Sequence, residues 1–499
     1  MEKLEYATDR ELFRNIDENE AWLKQTFANC TDLIIRKMPL NDSISCLLIY
    51  FQEMVEGNNL IEVNDFLSIL AEKRNETGWT AEQLQNELGS MANATILHHF
   101  AELVQNIVRG EVVLVIGSSR QAIAIHFQDR LHRGLKEPDT EAVIRGPRLG
   151  FIESLGVNMA LIRNQIRTPQ LKIEKTAIGT VSQTQIAIIY LENTASPDVV
   201  REVKERLSQV RIDSVLESGY IEEMIRDDPY SPFPVMQMTE RPDSVSASLI
   251  EGKVAILVDG SPMSLVVPVT FWHGFQVVED YYTSFIFASF IRLLRYLFAF
   301  ISLTLPSLFI AVKTFHPEMI PTSLFLSLAA AREPVPFPAL LEVLMMEVAF
   351  EAIREAGIRL PRPVGQTISI VGVLVIGQVA AQAGIVSTPI IIIVSLTGIA
   401  SFLVPNVNMS QAIRILRFPL MFLSGSFGLY GFSAGIIALL IHLVNLRSFG
   451  VPYMTPLAPF SLSGIWDVWG RAPWWVLHKR QYHIRPKQEL EKNDSDEMV

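Results

Sequence analysis

The pattern of apolar and polar positions changes twice along this chain, and each change predicts a different kind of structure. Over residues 8–105, apolar residues recur three and four apart with polar residues between them, at 11–27, 44–55 and 64–73. That spacing lines one face of a helix, so residues 1–105 are expected to be a mainly helical subdomain. From Gly110 short apolar runs take over, at 112–116, 122–127, 171–177, 185–191 and 254–258, with helical patterns at 197–209 and 218–227. Strand-length runs alternating with amphipathic helices predict an α/β subdomain over 110–280. Prolines 229, 232 and 234 predict a fixed loop after Asp227.

The third pattern is apolar almost throughout. Residues 363–413 contain no Asp, Glu, Lys or Arg. A soluble helix keeps a wet face that carries charge, whereas a bilayer about 30 Å thick takes roughly 20 apolar residues per helix. The run divides into two such lengths, 365–384 and 389–404. Apolar segments at 285–312 and 418–444 bring the firm candidates to four. Residues 317–331 are apolar but short and proline-flanked, which predicts a re-entrant or tilted segment, and 340–358 is amphipathic and acidic. Gly425, Gly428, Gly431 and Gly435 either break the last segment or fold it into a hairpin. The expected architecture is an α/β N-terminal region followed by a multi-span α-helical membrane domain over 284–446. A Pro- and Trp-rich segment and charged tail over 447–499 end the chain. Arg292 and Arg295, in the first turns of the first span, are expected to snorkel to the interface. With a charged N-terminus that lacks an apolar leader, they place residues 1–280 in the cytoplasm.

Composition then removes several functions. The net charge of −11 leaves no concentrated basic surface of the kind nucleic acids require. The only cysteines, Cys30 and Cys46, supply neither a disulfide framework nor a thiolate cluster. The nine histidines are scattered, without metal-ligand spacing or a Ser/His/Asp arrangement. Gly117-Ser118-Ser119 lacks the lysine of a phosphate loop and reads as a turn. No catalytic residue, metal or cofactor is expected.

Two sets of residues carry candidate chemistry. Glu347, Glu351 and Glu355 stand four apart and share one helical face. They are either satisfied locally, with Arg354 three from Glu351 and Arg359 four from Glu355, or they present a stripe of negative charge. In 365–384, Gly372, Gly377, Ala381 and Gly384 make small faces that permit close helix approach. Gln366, Gln378 and Gln382 are amides in apolar surroundings, which either bond a neighbouring helix or line a water path.

Several ordered phrases are more specific than any periodicity. They include Arg145-Gly146-Pro147-Arg148, Phe151-Ile152-Glu153-Ser154, Asn158-Met159-Ala160-Leu161-Ile162-Arg163 and Thr239-Glu240-Arg241-Pro242-Asp243. Glu251-Gly252-Lys253 runs into Val254-Ala255-Ile256-Leu257-Val258-Asp259-Gly260, and Glu279-Asp280-Tyr281-Tyr282 precedes the first span. Arg332-Glu333-Pro334-Val335-Pro336-Phe337-Pro338 and Arg354-Glu355-Ala356-Gly357-Ile358-Arg359-Leu360-Pro361 bracket the acidic helix, and Val451-Pro452-Tyr453-Met454-Thr455-Pro456 stands near the end. In this order, over roughly 110–475, the chain resembles the A subunit of the spore germination receptor family. Cys30-Thr31-Asp32-Leu33 is similar to that family's opening strand motif, whereas Tyr50-Phe51-Gln52-Glu53-Met54 departs from its usual Tyr-Ile-Asp-Gly-Leu. The resemblance implies a multi-pass protein of the spore inner membrane. Its implied partners are a transporter-like B subunit and a lipoprotein C subunit, with homo-oligomerisation into a nutrient-gated channel for monovalent cations. One acidic helix per subunit would then place Glu347, Glu351 and Glu355 in rings around the oligomer axis. Two other readings are a secondary transporter and a non-conducting membrane scaffold. The first would carry inverted repeats and charged or unwound sites in its spans; the second would need fewer spans.

Overall fold

The computed structural model describes residues 10–40, 45–72, 81–88, 93–117, 119–127, 137–138, 141, 143–359, 377–461, 467–473 and 475. It divides into two units, one containing the described residues up to Arg226 together with Met236–Pro268, the other Asp227–Val235 and Val269–Lys479.

The first unit contains the same arrangement twice. Helix α1 (Ile16–Thr26) leads into strands β1 (Leu33–Pro39) and β2 (Ser45–Phe51), helices α2 (Gly57–Glu72) and α3 (Ala81–Leu88), strand β3 (Asn93–Leu97), helix α4 (Phe100–Val108) and strands β4 (Val112–Ile116) and β5 (Ala122–His126). The second copy runs α5 (Leu155–Gln165), β6 (Leu171–Ile178), β7 (Thr184–Leu191), α6 (Pro197–Gln209), α7 (Ser218–Ile225), β8 (Gln237–Thr239), α8 (Pro242–Ile250), β9 (Val254–Val258) and β10 (Ser264–Val267). The sheets have orders β1-β2-β4-β5-β3 and β6-β7-β9-β10-β8, so corresponding strands occupy corresponding places. Every ladder is antiparallel. The helices therefore cover antiparallel sheets, so the expected α/β content is built without parallel βαβ units.

Two expectations from the pattern fail here for one reason. Within 44–55, read as helix, Ser45–Phe51 form β2, and β2 pairs with β4 across the boundary expected at 105–110. Leu47, Ile49 and Phe51 enter the core beneath α1 and α4, while Cys46, Leu48 and Tyr50 enter the core beneath α2 and α3. A strand buried on both faces shows no alternation, so its apolar positions also satisfy helical spacing. The two sheets are tied by Thr31, whose N–H donates to the Ile173 carbonyl at 2.9 Å, and by Arg163. That guanidinium donates to both Asp32 oxygens at 2.5 and 2.8 Å and stacks 3.9 Å from the Phe51 ring centre.

The second unit is helical. Its α-helices among the described residues are α9 (Phe285–Phe315), α10 (Thr322–Arg332), α11 (Ala339–Arg359), α12 (Gly377–Gln382), α13 (Thr388–Phe402) and α14 (Val407–Asn445). Among the described residues, α9 and α14 are long and apolar enough to cross a membrane. Helix α13, at 15 residues, reaches only about 22 Å. Helix α14 is a hairpin. Gly428 sits at φ 60°, ψ −141°, outside helical space, and a Cβ on Gly435 would touch the side chains of Leu420 and Leu423. In a straight helix 15 residues would separate Gly435 from Leu420 by about 22 Å. The arm 429–445 thus lies back along 407–427, and Leu439 and Leu443 share a core with Met409, Ala412 and Ile413. The proline loop after Asp227 closes this core. Phe233 is buried in it, Tyr453 donates to the Pro234 carbonyl at 2.7 Å, and the Phe449 N–H donates to Asp227 at 2.8 Å.

Candidate functional site

The acidic pattern at 340–358 forms α11, which packs against α9, α13 and α14. Its carboxylates grade from buried to exposed along the helix. Glu342, in the first turn, is buried; it accepts the Ser387 N–H at 3.0 Å and has Arg332 Nε 3.8 Å away. Glu347 is also wholly buried and binds Arg417 Nη1 of the hairpin at 2.5 Å, while Arg417 Nη2 donates to Ser302 Oγ on α9 at 2.9 Å. Glu351, partly exposed, binds Arg414 at 2.7 Å. Glu355 is exposed and binds Arg359 at 2.6 Å.

The spacing argument therefore holds only at the outer end. Glu355 takes the local partner four residues on, but Glu351 takes Arg414 of α14 and not Arg354. Arg354 turns to α13, donating to Ser401 Oγ at 3.1 Å with its guanidinium 4.5 Å from the Phe402 ring centre. Glu347 is 0% exposed, so in this conformation it cannot face an aqueous axis together with Glu351 and Glu355. It fastens α11 to the hairpin. Polar atoms this deep are costly unless paired, which is why Arg417 and Ser302 accompany it.

A second charged cluster surrounds the start of α9. Asp280 accepts from Arg295 Nη1 at 2.8 Å and lies 3.3 Å from Arg292 Nη2, and Arg292 Nη1 donates to the Asp467 carbonyl at 2.5 Å. Tyr281 donates to Asp467 Oδ2 at 2.6 Å. Arg292 is fully buried, so it does not snorkel; it ties the start of α9 to the loop before it and to the segment around Asp467.

Of the residues in 365–384, Gln366 and Gly372 lie outside the described residues. Gly377 opens α12, Ala381 is half-buried, and Gln378 and Gln382 are exposed. Gly384 does not extend a small helical face. It has φ +67°, its N–H donates to the Ala381 carbonyl at 3.1 Å, and the Ile385 N–H donates to the Ala380 carbonyl at 3.0 Å. That pair of bonds is a Schellman stop, which requires the left-handed conformation glycine adopts without strain. Among the described residues no His, Cys, Asp and Glu cluster could hold a metal ion.

The family model described as Bacillus/Clostridium GerA spore germination protein matches residues 21–483. The chain belongs to this family. It is 43% identical over 482 residues to the uncharacterized membrane protein YfkQ of Bacillus subtilis (strain 168), covering 96% of this chain and 93% of that one. It is 42% identical over 478 residues to spore germination protein KA of the same organism, covering 95% of this chain and 88% of the relative. Among solved structures it is similar to the N-terminal domain of the A subunit of the Bacillus megaterium spore germinant receptor GerK3. That similarity is 28% identity with a TM-score of 0.43, over 53% of this chain and 98% of that one.

Within this member of the GerA family, the residues that hold α11 in place were not found from sequence. Arg414 and Arg417 are charges in an otherwise apolar stretch, and that position alone signals a buried partner. Their partners lie 63 and 70 residues earlier, beyond any helical spacing rule.

Proposed function

We propose that this chain is the A subunit of a bacterial spore germinant receptor and that copies of it assemble around a path for monovalent cations. Family membership supports the receptor role. The observation that carries the conducting role is the exposure of Gln378 and Gln382 on α12, next to a stretch without charged residues. An amide facing hydrocarbon has no hydrogen-bond partner, so exposed amides at membrane depth call for a water path or a neighbouring copy. In this reading α9 and the two arms of α14 are crossing segments of a multi-pass protein, and residues 1–280 lie on the cytoplasmic side. Glu355, with Glu351 behind it, lines a vestibule where one α11 per copy forms a negative ring that concentrates cations. Glu347 is the fastening below. The transporter-like B subunit and the lipoprotein C subunit complete the complex, with membrane lipid around it.

The test replaces Gln378 and Gln382 together by Leu in the assembled receptor and follows nutrient-triggered potassium release from spores. Release slows severalfold at unchanged protein abundance if these amides meet a water path. Wild-type release from the double variant removes the observation on which the conducting role rests.

A further inference from the structure

A cleft of about 470 Å³ opens where α9 ends and α10 begins. Lys313 and Arg332 supply its cations, Ile320, Phe325 and Leu328 its apolar wall, and the exposed Glu333 its rim. Lys313 Nζ is shielded from solvent and makes no hydrogen bond among the described residues; its nearest ring, Phe309, has its centre 5.3 Å away. A shielded ammonium without an acceptor is costly unless an anion completes it. Among the described residues, the buried carboxylate of Glu342 is shared. One of its oxygens accepts the Ser387 N–H, and the other lies 3.8 Å from Arg332 Nε and has no hydrogen bond. Glu342 thus already serves the Ser387 N–H and Arg332. Glu333 stands on the open rim, and the shielded Lys313 Nζ is left without a hydrogen-bond acceptor among the described residues.

Position decides which anion fits. Lys313 lies 28 residues beyond Phe285 on one continuous helix, about 42 Å at 1.5 Å per residue. A bilayer including its headgroup layers measures about 40–45 Å. If the start of α9 lies at one interface, the cleft lies at headgroup depth on the opposite side. Helix α10 beside it buries none of its residues and exposes Leu324, Phe325 and Leu326, and at 11 residues it is too short to span. If the cleft lies at headgroup depth, acyl chains would cover these exposed apolar side chains.

We propose that this cleft binds the phosphate of an anionic phospholipid, with Lys313 and Arg332 on the phosphate and the wall of Ile320, Phe325 and Leu328 against the first part of the acyl chains. The inference rests on the reading that α9 crosses the membrane. Bound lipid joins the end of α9 to α10 and, through Arg332 and Glu342, to the first turn of α11, the helix that carries Glu347, Glu351 and Glu355. The lipid is therefore a fixed component next to the acidic helix and not merely its solvent.

The test uses the full-length chain purified in nanodiscs of mixed phosphatidylglycerol and phosphatidylcholine, then released into mild detergent for native mass spectrometry of retained lipid. The wild-type chain retains phosphatidylglycerol severalfold over phosphatidylcholine. Lys313→Gln and Arg332→Gln lose that preference, Lys313→Arg restores it, and Arg447→Gln, an exposed cation elsewhere in the same unit, leaves it intact. Thermal unfolding of each variant verifies that the fold survives. Equal retention of both lipids, or a preference untouched in Lys313→Gln, overturns the proposal while leaving the membrane reading in place. Displacement of the lipid by millimolar inorganic phosphate makes this a soluble-anion site and also overturns it. A chain that does not enter nanodiscs overturns the membrane reading and this inference together.

Discussion

Replacing Arg417 by Met removes one half of the most deeply buried ion pair in the helical unit. The Glu347–Arg417 contact is 2.5 Å, with side chains 0% and 1% exposed, so the substitution leaves a buried carboxylate without its partner. Breaking one side of such a pair costs about 3–5 kcal/mol. At about 1.4 kcal/mol per tenfold, that lowers the folded-to-unfolded ratio by roughly two to three and a half orders of magnitude. Glu347→Leu alone strands Arg417 with only Ser302 Oγ and costs a similar amount. The double variant Glu347→Leu/Arg417→Met leaves no buried charge and keeps most of the side-chain volume, so it recovers most of the loss. The assay is a double-mutant cycle by thermal unfolding of the detergent-purified chain, with recovered folded protein as a second readout. The expected coupling is several kcal/mol, far above the few tenths found between independent sites. Glu355→Gln, at an exposed pair, changes stability by less than about 1 kcal/mol. Additive single losses in the cycle would refute the claim that Glu347 fastens α11 to the hairpin.

Gly428→Ala should destabilise the hairpin by about 1–3 kcal/mol, because φ 60° with ψ −141° is glycine territory and the new methyl would stand 2.9 Å from Phe315 Cβ; unchanged accumulation of the variant would contradict the turn. Burial raises the Glu141 carboxyl above its ordinary value despite bonds from Thr239 and the Glu240 N–H. The native state therefore holds that proton more tightly, and its contribution is full below the ordinary carboxylate value and lost as pH rises through the raised one. Glu141→Gln should gain stability relative to wild type from acid to neutral pH, and parallel pH profiles would argue against it. Cysteines placed at the exposed positions Glu192 and Asn193 should resist a membrane-impermeant thiol reagent in intact cells and react after permeabilisation. Background is low because Cys30 and Cys46 are buried and burial pushes the Cys46 thiol up to about 12; labelling in intact cells would place residues 1–280 outside.

Much of the fold was legible where apolar positions met only one kind of neighbour. The pattern at 197–209 coincides with α6, and 254–258 with β9. The acidic segment 340–358 appears as α11 with one residue added at each end. The central strand β2 was not legible, because burial on both faces erases the period of two. The duplication in the first unit was equally hidden, since what repeats is strand order and not residue identity. At the candidate site, the helical face shared by the three glutamates was readable, but their fates were not. Burial of Glu347 depends on Arg417 and Ser302, which come from two other helices and are brought together only by packing. Gly384 was read by size when its backbone angle decides its role.

The most direct test of a cation-conducting A subunit is a reversal-potential measurement on membranes containing the complete receptor under a potassium chloride gradient. With the wild-type chain, nutrient should open a conductance whose reversal potential lies near that of potassium. With Glu351→Gln/Glu355→Gln at equal abundance, the negative ring is gone, and the reversal potential should move toward zero as anions are admitted. A reversal potential identical in both receptors would contradict the vestibule assignment, and the absence of any nutrient-dependent conductance in the wild type would contradict the channel itself.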